Sequence, residues 1–178
     1  MRELIEQARQ GDRAAYEQIV RRKVETVYRT ARAILGNDAD AEDATQETLI
    51  GAWRQLGSLR DVERFDAWLG RITVNACRMS LRSRRSGAVV DLADASAYGL
   101  TDLKTSGFES RTVSSNAFDR AFDRLSIEQR SLLVLHHHDE LPIAEVAARL
   151  GIPEGTAKSR LHAARAALDR SLVREGLR

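Results

Sequence analysis

Ile143-Ala-Glu-Val-Ala-Ala-Arg-Leu150, Gly151-Ile-Pro153 and Glu154-Gly-Thr-Ala-Lys-Ser-Arg-Leu-His-Ala-Ala-Arg165 read in succession as a short helix, a sharp break and a longer helix that runs to Leu168. A small residue inside the first helix, Ala147, and a glycine in the turn let two helices cross closely. Along the second, Ala157, Leu161, Ala164 and Leu168 recur at helical spacing and form an inward stripe. Lys158, Ser159, His162 and Arg165 point away from that stripe. Those residue types contact phosphates and base edges when a helix enters the major groove. A plain helical hairpin with a basic surface carries the same local pattern, so the rest of the chain has to decide.

Upstream of this unit, Phe118, Ala121, Phe122 and Leu125 keep a helical period, and Ser126-Ile-Glu-Gln129 fits a capping box opening a further helix. Pro142 stands where a helix can begin. Residues 86–115 read differently, with three glycines, six serines and no sustained amphipathic period, which is the composition of a linker. Before it, Gly11-Asp12 predicts a break and an N-cap, and the apolar residues from Tyr16 to Leu35 predict a long helix that Gly36 stops. A second helix is expected from Asp38 or Asp40 to Gly57, with Ala44, Leu49, Trp53 and Leu56 facing inward, and a third from about Arg64 to Arg85. The expected fold is all-α: two small helical domains, residues 1–85 and 116–178, joined by a flexible linker, 86–115.

The third helix separates two kinds of residue. Phe65, Leu69, Ile72, Ala76 and Met79 fall in one stripe, and Arg71, Asn75, Arg78, Arg82 and Arg85 in another. Guanidinium groups suit phosphate oxygens, while an amide among them can donate to and accept from a base edge. Basic residues near a helix end also suit the helix dipole, but that does not explain Arg71 and Arg78 flanking Asn75 in mid-helix. Charge is sorted along the chain as well: residues 37–48 hold five acids and no base, and residues 71–85 five arginines and no acid. Such sorting implies two separate electrostatic roles that a net charge of +2 conceals.

Composition narrows the classes further. Two prolines, 5% aromatic residues and long Ala, Leu, Arg and Glu stretches favour helices throughout. A lone cysteine, Cys77, excludes an internal disulfide. The N-terminus has no apolar leader, and no stretch approaches the ~20 apolar residues of a membrane span, so a cytoplasmic protein without membrane insertion is expected.

In order along the chain, these motifs resemble those of the extracytoplasmic-function (ECF) sigma factors of bacterial RNA polymerase. Asp40-Ala-Glu-Asp-Ala-Thr-Gln-Glu-Thr48 resembles the polymerase-binding helix of region 2, and Phe65-Asp-Ala-Trp-Leu-Gly-Arg-Ile-Thr-Val-Asn75 the start of the −10 recognition helix. Leu125-Ser-Ile-Glu-Gln-Arg130 and Ile143 to Arg165, above all Gly155-Thr-Ala-Lys-Ser-Arg160, resemble region 4. The resemblance implies that Asp40, Asp43, Gln46 and Glu47 bind core polymerase at the β′ clamp helices, with the β flap expected as a second contact. It implies that Arg71, Asn75, Arg78 and Arg82 bind the −10 element, Asn75 taking a base flipped from the melted strand. It implies that Thr156, Lys158, Ser159, Arg160, His162 and Arg165 read the −35 duplex. Double-stranded and melted promoter DNA and an anti-sigma factor are the further partners implied. One departure stands out: Leu49-Ile50 occupy a place where many members carry an aromatic residue.

No catalytic residue, metal or cofactor is expected. Ser, His and Asp show no triad spacing, and no P-loop is present. Adjacent side chains on a helix diverge by about 100°, so His136, His137 and His138 cannot converge on one ion. Cys77 reads as a small core residue, and Trp53 and Trp68 as core or interface anchors. The rival readings are a sigma-like interaction module that sequesters an anti-sigma factor without binding DNA, and an ordinary repressor or activator, which would leave the acidic helix unexplained.

Overall fold

The computed structural model describes residues 1–94 and 113–177, with side chains for 1–82 and 117–177. Every regular element among them is helical: α1 (Arg2–Arg9), α2 (Arg13–Leu35), α3 (Asp38–Gln55), α4 (Phe65–Asp94), α5 (Val113–Asp123), α6 (Ile127–Leu133), α7 (Ile143–Leu150) and α8 (Glu154–Arg174). The helix boundaries follow local chemistry. Asp12 accepts from the amides of Ala14 and Ala15 at 2.8 and 3.1 Å and opens α2. Gly36, in the left-handed region at φ 83°, closes it. Ser126 and Gln129 form the expected capping box of α6. Gly151 makes the turn between α7 and α8 at φ 66°.

The first half packs α1 to α4 around Ile5, Ile19, Val27, Leu56, Phe65 and Leu69. Tyr16 stacks obliquely on Trp53 with ring centroids 4.8 Å apart, and its hydroxyl donates to the Leu49 carbonyl at 2.5 Å. Burial pushes that phenol up to about 12. In the second half α8 lies along α5, α6 and α7, burying Ala157, Leu161 and Ala164 as the spacing predicts.

The stripe expected along α4 is corrected. Phe65, Leu69, Gly70, Thr73, Val74 and Cys77 are buried, and Met79 is 71% exposed. Ile72 and Ala76 of the predicted row are partly buried against the apolar clusters, and only Met79, at the far end of the row, leaves the core. The helix also continues to Asp94, past the expected end at Arg85. Gly87 costs only about 1 kcal/mol relative to alanine, and the residues after it, Ala88-Val-Val, carry no break. The expected linker is thus helical at both ends, through 86–94 and 113–115, and its middle lies outside the described residues. Phe118, which keeps the helical period of its neighbours, is 45% exposed and stacks on Phe122.

One apolar cluster runs through both halves, from Ile34, Leu35, Val74 and Cys77 to Leu132, Leu135, Val146 and Leu161. The halves meet chiefly where α7 packs on α4.

Candidate nucleic-acid and polymerase interface

The acidic helix presents a graded surface. Asp38 is bound by Arg32 at 2.6 Å and Tyr28 at 3.0 Å, and the Arg32 guanidinium holds its carboxyl below the usual range. Asp40 serves the N-terminus of α3: its amide donates to Asn37 Oδ1 at 2.9 Å, and its carboxylate accepts from Asn37 Nδ2 at 2.7 Å. Glu42, Asp43 and Glu47 are exposed and make no salt bridge among the described residues. Asp43, Gln46, Glu47 and Ile50 recur at i, i+3, i+4 and i+7, so they share one face. Ile50 is 36% exposed, giving the acidic face an apolar edge, while Leu49 turns inward behind it. Of the four expected docking residues, three stand together on this face and Asp40 is committed largely to the cap.

On α4, Arg71, Asn75 and Arg82 are exposed and Arg78 is half-buried. Positions 71, 75, 78 and 82 keep the four side chains in one row. Arg78 Nη1 donates to Asn75 Oδ1 at 3.3 Å, which orients the amide and leaves its Nδ2 without a hydrogen-bond partner among the described residues. Behind this row the buried face holds the helix rigidly, and burial pushes the Cys77 thiol up to about 12.

On α8, Lys158, Ser159, Arg160, His162 and Arg165 are all exposed, and Thr156 is half-buried. Lys158 pairs with Glu154 at 2.8 Å, and Ser159 Oγ donates to the Thr156 carbonyl at 3.0 Å. Arg165 Nε donates to His137 Nε2 at 3.1 Å. The histidines diverge in partner: His136 Nδ1 donates to the Leu141 carbonyl and His138 Nδ1 to Asp139, each at 2.9 Å. The role of His137 as an anchor for Arg165 has no local sequence signal, because the two lie in different elements.

Burial first, then the charges of Arg165 and His136, lower the His137 pKa below its ordinary value. A depressed histidine contributes its contact above the ordinary value of about 6.5 and loses it as pH falls through the folded value. NMR titration of the ring protons is expected to place His137 below the ordinary value, and Arg165→Ala to move it upward. An unmoved titration would remove the coupling.

Comparison with known proteins agrees with this geometry. Residues 19–87 match the family described as Sigma-70 region 2, and residues 115–168 match Sigma-70, region 4. The chain is 38% identical to the ECF RNA polymerase sigma factor SigM of Mycobacterium tuberculosis, over 91% of this chain and 79% of that one. It is 32% identical to SigW of Bacillus subtilis over 94% of each. The solved structure of CnrH in complex with the cytosolic domain of CnrY is 28% identical, with a TM-score of 0.66 over 96% of both chains. The sigma factor RpoE of Bartonella quintana, solved with the anti-sigma factor NepR, shares the fold at 24% identity and a TM-score of 0.62, over 88% of this chain and 96% of that one. The chain belongs to the ECF sigma factors, which direct promoter-specific transcription initiation. Sigma factors are non-catalytic regulators. No helix among the described residues is long and apolar enough to cross a membrane.

Proposed function

We propose that this chain confers promoter specificity on core RNA polymerase through three surfaces, each built on one helix. The acidic face of α3, with Asp43, Gln46 and Glu47 at its centre and Asp40 at its edge, docks on the β′ clamp helices. The row Arg71, Asn75, Arg78 and Arg82 on α4 holds the melted −10 strand, its guanidiniums on phosphates and Asn75 on a flipped base. The face Thr156, Lys158, Ser159, Arg160, His162 and Arg165 on α8 enters the −35 major groove, with the β flap as its polymerase contact. Functional units of residues 1–85 and 116–178, tethered through 86–115, act in the cytoplasm without any reaction catalysed by the chain, under the control of an anti-sigma factor.

The observation that carries this reading is the exposed amide of Asn75 within an arginine row, on the same chain as an unneutralised acidic face. Acids without internal partners favour a basic docking surface. The amide offers a base-reading group where the arginines bring a strand close.

The −35 assignment is tested by holoenzyme binding to duplexes at several salt concentrations. Arg160→Ala is expected to weaken binding and, if it holds a phosphate, to reduce the log–log salt slope by about one unit without changing sequence preference. If it reads a base, discrimination at one position falls by about 1–3 kcal/mol with little change in slope. Binding unaffected in both respects would remove Arg160 from the interface.

A further inference from the structure

After α6 the chain makes one π-helical turn, Val134–His138, closed by the Asp139 amide on the Val134 carbonyl at 2.9 Å. Such turns insert an extra residue into a helix and recur at functional sites. This one sends three consecutive imidazoles to different partners. His136 is tied to the Leu141 carbonyl and His138 to Asp139, while His137 turns to α8, its Nε2 accepting from Arg165 Nε at 3.1 Å. The His136 ring meets the His137 ring edge-on, with centroids 4.8 Å apart, and braces it from behind. Accepting at Nε2 requires a neutral imidazole with its proton on Nδ1. Burial, then the charges of Arg165 and His136, favours that neutral form.

The bond decides which edge of the guanidinium faces outward. With Nε committed to His137, the outer pair, Nη1 and Nη2, keeps its donors without a partner among the described residues. Arg165 stands at the far end of the exposed row Lys158, His162 and Arg165, spaced i, i+4 and i+7. It lies about 16 Å along the axis from Glu154, where α8 begins, at about 1.5 Å per residue. The major groove is about 12 Å wide, and a recognition helix sets its N-terminal turns on the base edges. A side chain so far along α8 therefore meets the wall of the groove, where the phosphates are.

On the −35 assignment of α8, we propose that His137 is a positioning residue for DNA, holding Arg165 with its outer edge turned to one backbone phosphate bordering the −35 duplex. A fork of two N–H groups matches a phosphate's two free oxygens. Immobilising a long side chain on binding weakens affinity by about twofold to tenfold, and an arginine already held by His137 avoids much of that loss. Both partners belong to the second half of the chain, so the contact travels with α8. Both are also exposed, so their bond adds little to stability, and substitutions there leave the fold intact.

The test is holoenzyme binding to a promoter duplex in which single phosphates around the −35 element are replaced, one at a time, by neutral methylphosphonates. In the parent chain one such replacement is expected to weaken binding about tenfold, the scale of a charge-assisted contact. Arg165→Ala is expected to lose as much on unmodified DNA, to lower the log–log salt slope by about one unit, and to ignore that methylphosphonate. His137→Ala is expected to weaken binding about twofold to tenfold and to blunt the response at the same phosphate. Added to Arg165→Ala, it is expected to cost nothing more. His137→Gln, whose Oε1 can accept from Arg165 Nε, is expected to recover most of the loss. His137→Asn, one methylene shorter, is not.

An Arg165→Ala effect without any change in His137→Ala overturns the positioning role. So does a His137→Ala loss that persists in full when Arg165 is already alanine. An Arg165→Ala effect on sequence preference, with no single phosphate responsible, overturns the phosphate contact and leaves α8 on the −35 duplex. If both substitutions are silent while Lys158→Ala weakens binding, the inference fails alone. If Lys158→Ala is silent too, the −35 assignment of α8 fails with it.

Discussion

Asn75→Ala is expected to slow promoter opening by the holoenzyme about tenfold to a hundredfold and to blunt discrimination within the −10 element. The amide is exposed on a helix whose opposite face is buried, so alanine removes a contact group without disturbing the core. A base-edge hydrogen-bond pair is worth about 1–3 kcal/mol of discrimination, and each 1.4 kcal/mol is a factor of ten. Arg78 donates to Asn75 Oδ1, so alanine also frees that guanidinium, and part of the non-specific phosphate affinity is expected to remain. Fluorescent reporting of the −10 bubble, beside a direct measurement of polymerase binding, separates the steps. Polymerase binding that falls in parallel with opening would move Asn75 from the DNA site to the polymerase site.

The second large effect belongs to the acidic face. Reversing Asp43 and Glu47 together to lysine is expected to weaken binding to core polymerase by about tenfold or more, with the loss greatest at low salt. Both side chains are exposed and neither has an ionic partner among the described residues, so the fold loses nothing. Facing a basic surface, each reversal replaces attraction by repulsion, and charges at the rim of an interface act mainly on association rate and salt dependence. The same reversal at Asp40 is expected to lower the stability of α3 as well, because Asn37 uses that residue at the cap. Competition between the double variant and its parent for a limiting amount of core polymerase measures the effect. Equal occupancy would remove α3 from the docking surface.

Much of this architecture is legible in local sequence because its causes are local. Asp12, Gly36, Ser126 and Gly151 mark helix ends through their own side chains or backbone freedom, and each stands where its chemistry requires. The inward row of α8 follows from spacing alone. Met79 shows where spacing is insufficient. A stripe of apolar residues on α4 admits two neighbouring registers, and which one is buried depends on the helices packed against it. Phe118 keeps a helical period as well, yet it stands 45% exposed and stacked on Phe122, which the period alone does not tell.

The candidate surfaces divide in the same way. Exposed acids and arginines are identified by type and spacing. That Asp40 is occupied by a cap, that Arg165 rests on His137, and that Arg149 sits on Gly70 are contacts between residues up to 79 positions apart. No periodicity encodes them. The meeting of the two halves is likewise a property of faces that each half would otherwise leave apolar, and the composition of residues 86–115 does not oppose it.

The most direct test of promoter-specific initiation is run-off transcription with purified bacterial core polymerase, with and without this protein, on a library of genomic promoters. Discrete new start sites are expected that require the protein, share a −10 and a −35 sequence, and are lost with Asn75→Ala or the Asp43 and Glu47 reversal. A protein that binds neither polymerase nor promoter DNA, and yields no new start site, would contradict it and favour a module that sequesters an anti-sigma factor.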